Sequence, residues 1–78
     1  MIQIKLLAFA QSAIDLGWRE TFAECEPTDT PRALFERIAP AFDPGTARVA
    51  IDCEYSSWDD AIGSVAQELA VLPPVSGG

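Results

Sequence analysis

The chain contains no histidine. That removes the side chain that titrates near neutral pH and the commonest metal ligand. It also excludes a Ser-His-Asp or Cys-His nucleophile system carried by this chain alone. Basic residues are scarce as well: 5 Lys and Arg stand against 12 Asp and Glu, for a net charge of −7. Nucleic acid is therefore excluded as an expected partner, because phosphate contacts need clustered Lys and Arg. Partners with positive surface are expected instead. There are only 2 cysteines. Cys25 and Cys53 lie far apart, fit no CxxC spacing and have no histidine to complete a zinc set. Both fall in strand-like stretches, so two reduced, partly buried thiols are expected. No apolar run approaches the ~20 residues that a membrane span needs. The apolar opening Met1–Leu7 lacks the basic start and cleavage-like site of a leader. Cytoplasm is the expected compartment, with no membrane partner.

What is present is a globular composition, 49% hydrophobic and 22% charged. Its 78 residues suffice for one small domain. A core below roughly 80 residues supplies only a few kcal/mol of net stability. Such a body has little room for a deep pocket, so any active site is expected to be shared with a partner.

Ile2, Ile4 and Leu6 alternate with Gln3 and Lys5, which predicts a strand from the first residues. Leu7 and Phe9 put apolar groups on its other face, as in a strand central to its sheet. Ala10–Leu16 reads as a short helical or irregular connection closed by Gly17. Trp18–Cys25 predicts a second strand in which Trp18 and Phe22 share a face with Glu20 and Glu24, an arrangement suited to a sheet edge. Thr30-Pro31 is a helix start, with Thr as N-cap and Pro at the first helical position. Leu34, Phe35, Ile38 and Phe42 follow at helical spacing, with Arg32 and Glu36 as an exposed i, i+4 pair. Pro40 and Asp43-Pro44-Gly45 end the helix. Arg48–Glu54 alternates cleanly and predicts a strand, Ser56–Gly63 is polar and turn-like, and Glu68–Leu72 predicts a last strand ended by Pro73-Pro74. The order strand, strand, helix, strand, strand predicts an α+β fold. The first and last strands are expected side by side in its middle.

The end of the sequence carries the strongest signal. A strand runs into two prolines, then Val75-Ser76-Gly77-Gly78. Proline favours extended backbone, so the segment is expected to point outward. The five residues Pro74–Gly78 reach roughly 16 Å when extended. Glycines lack Cβ and suit a narrow channel in another protein. With Gly78 as the last residue, an α-carboxylate is left with no side chains around it. Activation as an acyl adenylate and sulfur transfer would turn that poor electrophile into a nucleophilic thiocarboxylate.

Leu72-Pro73-Pro74-Val75-Ser76-Gly77-Gly78 resembles the signature tail of the small subunit of molybdopterin synthase, a ubiquitin-like sulfur carrier. Ile4–Gln11 resembles that family's first strand, and Val49–Tyr55 the strand before its short turn. The resemblance covers essentially the whole chain. It implies a β-grasp (ubiquitin-like) mixed sheet with one main helix packed across it, formed by residues 1–74, and a flexible tail, 75–78. It further implies that an adenylating enzyme of the ubiquitin-activating type activates Gly78 with ATP, and that a sulfur donor converts it to the thiocarboxylate. Val75, Ser76 and Gly77 would then insert into the large subunit, where two sulfur transfers make the dithiolene of molybdopterin. No cofactor is implied for this chain itself, since ATP is used by the activating partner. The implied assembly is a heterotetramer of two small and two large subunits, with the active site on the large one. Phe9, Tyr55 and Leu72 match the apolar positions that face partners, with Pro73 and Pro74 behind Leu72. Two features depart from the family. Gly63–Glu68 replaces an Asp-Gly-Asp-like turn, and Asp52 stands where Asn is usual.

Asp52, Glu54, Asp59 and Asp60 crowd carboxylates into one region. They match no calcium-loop pattern, so a solvated acidic face is expected rather than a metal site. Other readings of the Gly-Gly ending are a sulfur carrier for thiamine thiazole synthesis, a ubiquitin-like protein modifier, and an interaction module with an inert tail.

Overall fold

The structure is a computed structural model that describes residues 1–74. Among the described residues, five strands form one mixed sheet. They are β1 (Ile2–Ala8), β2 (Glu20–Cys25), β3 (Arg48–Ile51), β4 (Glu54–Ser56) and β5 (Glu68–Leu72). Two helices, α1 (Gln11–Leu16) and α2 (Pro31–Ile38), lie between them in the chain. The sheet order is β2-β1-β5-β3-β4. β1 and β5 pair in parallel near the middle, and every other pairing is antiparallel. This is the α+β arrangement expected from the sequence, with β1 beside β5 and β2 at an edge.

Period-two alternation assigns the two faces of the sheet. Ile4, Leu6, Cys25, Val49, Leu69 and Val71 are buried on one face, against Leu34 and Phe35 of α2. Thr30 caps α2, its hydroxyl accepting from the Ala33 N–H at 3.1 Å, and Pro31 occupies the first turn. Phe35 is the hub of the helix side. Its ring meets Phe42 and Trp58 at 5.7 Å and stacks with Trp18 at 6.5 Å. Aromatic pairs in this range add to the burial they accompany.

Several sequence expectations are corrected here. Trp18 precedes β2 and turns into the core, away from the exposed row Glu20, Phe22 and Glu24. Ile38 ends α2 exposed, and Phe42 lies beyond the helix, yet its ring reaches Phe35. Arg32 pairs with Asp59, at 2.7 Å, and not with Glu36. The loop after β4 is not a plain polar turn. Trp58 donates its indole N–H to the Ala47 carbonyl at 2.9 Å, and Ile62 and Ala66 are buried. Backbone bonds from Ile62 to Asp29 and from Gly63 to Pro27 tie this loop to the connection between β2 and α2. It closes the core from below.

Arg48–Glu54 is not one strand. Asp52 and Cys53 both have positive φ, 49° and 70°, and fold the chain into a β3–β4 hairpin. Paired positive φ values suit a tight hairpin turn, and a short polar residue such as Asp tolerates them. Cys53 therefore sits exposed at a turn, whereas Cys25 is fully buried. Asp52 has a second task. Its carboxylate accepts from the backbone N–H groups of Gln67 (3.1 Å) and Glu68 (2.9 Å), while its own N–H donates to the Glu68 carbonyl. Three bonds thus fix where β5 begins. An Asn side chain has the same acceptor and tolerates the same turn.

Replacing Asp52 with Ala should cost about 1 kcal/mol, the scale of a lost side-chain cap. Asp52→Asn should retain most of it; urea denaturation compares the two. The Arg32–Asp59 bond holds the Asp59 carboxyl below its ordinary range and the Arg32 guanidinium above its own. A depressed carboxyl stabilises the fold above its unfolded pKa, and the contribution is lost as pH falls through the folded value. Melting temperature followed through the acidic range should therefore fall less steeply for Asp59→Asn than for the natural chain.

Candidate functional site: the open sheet face and the tail exit

Among the described residues, no helix covers the face of the sheet opposite α2, and register arranges the residues of that face in rows. The middle row is Leu7, Ala70, Ala50 and Tyr55, running across β1, β5, β3 and β4. Its two central positions are alanines placed directly opposite each other, so the row has bulk at its ends and a hollow at its centre. The row below contains Phe22, Lys5 and Glu68. The row above contains Leu72 opposite Arg48, with Phe9 one step past the Ala8–Val71 pair. The result is a groove of about 310 Å³ with Ala50 and Ala70 in its floor and Phe9, Tyr55 and Leu72 in its walls. Phe9 is 45% and Tyr55 65% exposed, large values for aromatic rings on a body this small.

Phe9, Tyr55 and Leu72 were singled out in the sequence from three separate segments. Parallel pairing of β1 with β5 and the β3–β4 hairpin bring all three to one groove. Phe9 is pinned by its backbone, donating to Val71 at 3.1 Å and accepting from Ser12 at 3.2 Å. Ala10 follows it with φ 54° and ψ −131°, a conformation costly for any residue with a Cβ. That turn ends β1 and starts α1. Pro73 and Pro74 are exposed and continue directly from Leu72 at the groove's rim. Val75, Ser76, Gly77 and Gly78, the predicted tail, lie outside the described residues.

Among the described residues no group of His, Cys, Asp and Glu converges as a metal site. Asp52 is committed to β5 and Asp59 to Arg32, so the acidic cluster does not share a focus. Among the described residues no helix is long and apolar enough to cross a membrane. Burial, and then Asp29, push the Cys25 thiol above its usual pKa. The sequence reading missed the alanine floor and Arg48. The signal for the floor was present as Ala50 and Ala70 on strands otherwise rich in larger aliphatics. The signal for Arg48 was its position at the start of the strand that pairs with the last one. Its guanidinium lies 5.3 Å from the centre of the Tyr55 ring.

No family model matches the chain, and no curated protein matches it. Solved structures do. The chain superposes on molybdopterin converting factor subunit 1 of Pyrococcus furiosus with a TM-score of 0.73 at 23% identity, covering 96% of this chain and 100% of that one. Against SAMP1 of Haloferax volcanii the TM-score is 0.71 at 24% identity, with 99% and 100% covered. A second H. volcanii structure, small archaeal modifier protein 1, gives 0.72 at 22%, with 96% and 100% covered. The fold is thereby defined as the β-grasp of ubiquitin-like proteins. Within that fold, the chain has the same architecture, nearly end to end, as these three solved structures.

The two thiols should separate cleanly in a thiol-reagent titration. Cys53 should react in the folded protein, and Cys25 only after denaturant is added. Equal rates for both would contradict the burial of Cys25.

Proposed function

We propose that the chain is a sulfur-carrier small subunit of the molybdopterin synthase type. The observation that carries this reading is the groove: an apolar docking face whose rim is the point at which the chain departs toward Gly77-Gly78. The body then serves to be recognised, and the chemistry resides in the Gly78 carboxylate. An adenylating enzyme of the ubiquitin-activating type docks on the open face and joins that carboxylate to AMP from ATP, releasing pyrophosphate. A sulfur donor displaces AMP and leaves a thiocarboxylate. The charged tail next enters the large subunit, with Val75, Ser76 and Gly77 in the channel. Its sulfur passes there to the pterin precursor, twice per product, to form the dithiolene. Phe9, Tyr55, Leu72, Pro73 and Pro74 face the partners. The chain itself binds no cofactor and works in the cytoplasm, in a heterotetramer of two small and two large subunits. Catalysis belongs to the large subunit.

A second reading, a ubiquitin-like modifier joined to other proteins through Gly78, is supported equally by the likeness to the two H. volcanii structures. A sulfur carrier for thiamine thiazole synthesis is a third, and the Pro73-Pro74-Val75-Ser76 run weighs against it. All of these readings need a free carboxylate on Gly78.

Incubation with the adenylating enzyme of the same organism, ATP and a sulfur source should produce a species with one oxygen replaced by sulfur, read by intact mass. Deleting Gly77-Gly78 should abolish it and should abolish molybdoenzyme activity in the host. If cofactor synthesis survives that deletion while conjugates disappear from a denaturing gel, the modifier reading replaces the carrier reading. If neither changes, the tail is inert and the chain is an interaction module.

A further inference from the structure

The net charge of −7 suggests partners with basic surface everywhere. The rim from which the tail leaves does not fit that expectation. Of the basic residues, Arg32 is bonded to Asp59, and Arg37 reaches Asp29 and the Glu24 carbonyl. Lys5 stands beside Glu68 in the register of β1 and β5. Arg19, before β2, and Arg48 both have no carboxylate within ion-pair distance among the described residues, and of the two it is Arg48 that faces the last strand. It lies opposite Leu72 on the neighbouring strand, next to where Pro73 begins, and its guanidinium is held over the Tyr55 ring. Of the acidic residues of the same face, Glu68 lines the groove at the end away from Arg48, beside Lys5, and Glu20 and Glu24 lie on the far edge strand. The tail exit is therefore a locally positive rim above an apolar hollow on an otherwise acidic protein.

We infer that Arg48 is the polar anchor of the docking face and that the protein partner seated there presents a carboxylate to it beside a protruding aliphatic or aromatic side chain. This rests on the carrier reading for the identity of the partner. Two features favour a protein carboxylate. A planar guanidinium matches a carboxylate through two parallel N–H donors. The adjoining Ala50–Ala70 hollow, about 310 Å³ with its walls, has room for one large apolar side chain. The cation–π contact with Tyr55 biases the guanidinium toward the groove before the partner arrives, so less side-chain freedom is lost on binding. The anchor also sets direction. A carboxylate at Arg48 and an apolar group in the hollow define a line, and the tail then emerges on a fixed side of the partner.

The test is calorimetric titration of the natural chain and its variants against the adenylating enzyme of the same organism, at low and at raised salt. Thermal melting serves as the folding control. Arg48→Gln should weaken binding about tenfold, and Arg48→Glu should weaken it further. Arg48→Lys should keep part of the affinity, and Tyr55→Phe most of it, since the phenyl face remains. The gap between Arg48→Gln and the natural chain should narrow as salt rises. Ala70→Leu, which fills the hollow and leaves the charge alone, should weaken binding with little salt dependence. An Arg48→Glu variant that binds as tightly as the natural chain, or more tightly, overturns the inference, because the partner's surface at the rim is then neutral or basic. The mass assay on Gly78 separates the two proposals. A thiocarboxylate that forms equally well on Arg48→Glu, with unchanged affinity, removes the anchor and leaves the carrier. A natural chain whose binding depends on Arg48 but which never gains sulfur keeps the anchor and removes the carrier.

Discussion

Parallel pairing of β1 with β5 is the constraint on which the rest of this protein depends. It joins the two most sequence-distant strands at the centre of the sheet. A parallel pair cannot be closed by a tight turn and needs a long crossover. Everything between Ala8 and Glu68 is that crossover. The same pairing sets Leu6 beside Leu69 and Ala8 beside Val71 on the helix side, and Leu7 beside Ala70 on the open side. One interaction thus builds the core and the candidate docking groove on opposite faces of the same strands. A substitution that disturbs it acts on both.

The interior is closed by aromatic contacts from parts of the chain that have no regular structure. Trp18, Phe42 and Trp58 all reach Phe35, although none belongs to a strand or helix. A core this small cannot be sealed by one eight-residue helix alone. Loops that elsewhere would lie on the surface are drawn in, and their backbone groups are satisfied by bonds such as Ile62 to Asp29 and Arg32 to Trp58. Electrostatics play a lesser part. The Arg32–Asp59 pair is exposed on both sides, and such pairs contribute little to stability.

Much of this was legible in the sequence where local chemistry and global fold agree. Thr30-Pro31 marked the start of α2 because cap and first-turn preferences are properties of the residues themselves. The alternation of Ile2, Ile4 and Leu6 assigned the buried face of β1, and Pro73-Pro74 marked the end of β5. What was not legible depended on tertiary context. Val49, Ile51 and Cys53 continue a perfect alternation, yet the strand stops at Ile51, because Asp52 is recruited to hold Gln67 and Glu68. Periodicity cannot see an acceptor required by a segment so far along the chain. Trp18 looked like part of an edge strand because its parity matched Phe22. The turn after α1, with Gly17 at φ 84°, breaks that parity and swings the indole inward. For the candidate site, Phe9, Tyr55 and Leu72 were named from the family resemblance, while their convergence on one groove follows only from strand order. The alanine floor escaped notice because small residues on a strand look like weak core positions until register puts two of them opposite each other.

The position of β5 has a consequence for how the protein comes into being. The strand at the centre of the sheet is the last to be synthesised, so the native sheet cannot assemble until residue 72 is available to insert between β1 and β3. Long-range pairings of this kind slow folding relative to helical bundles. A nascent or partly unfolded chain lacks the Ala50–Ala70 floor and the Leu72–Arg48 rim altogether. Under the carrier reading, folding itself is then the checkpoint, since the groove exists only on molecules whose final strand has already been inserted.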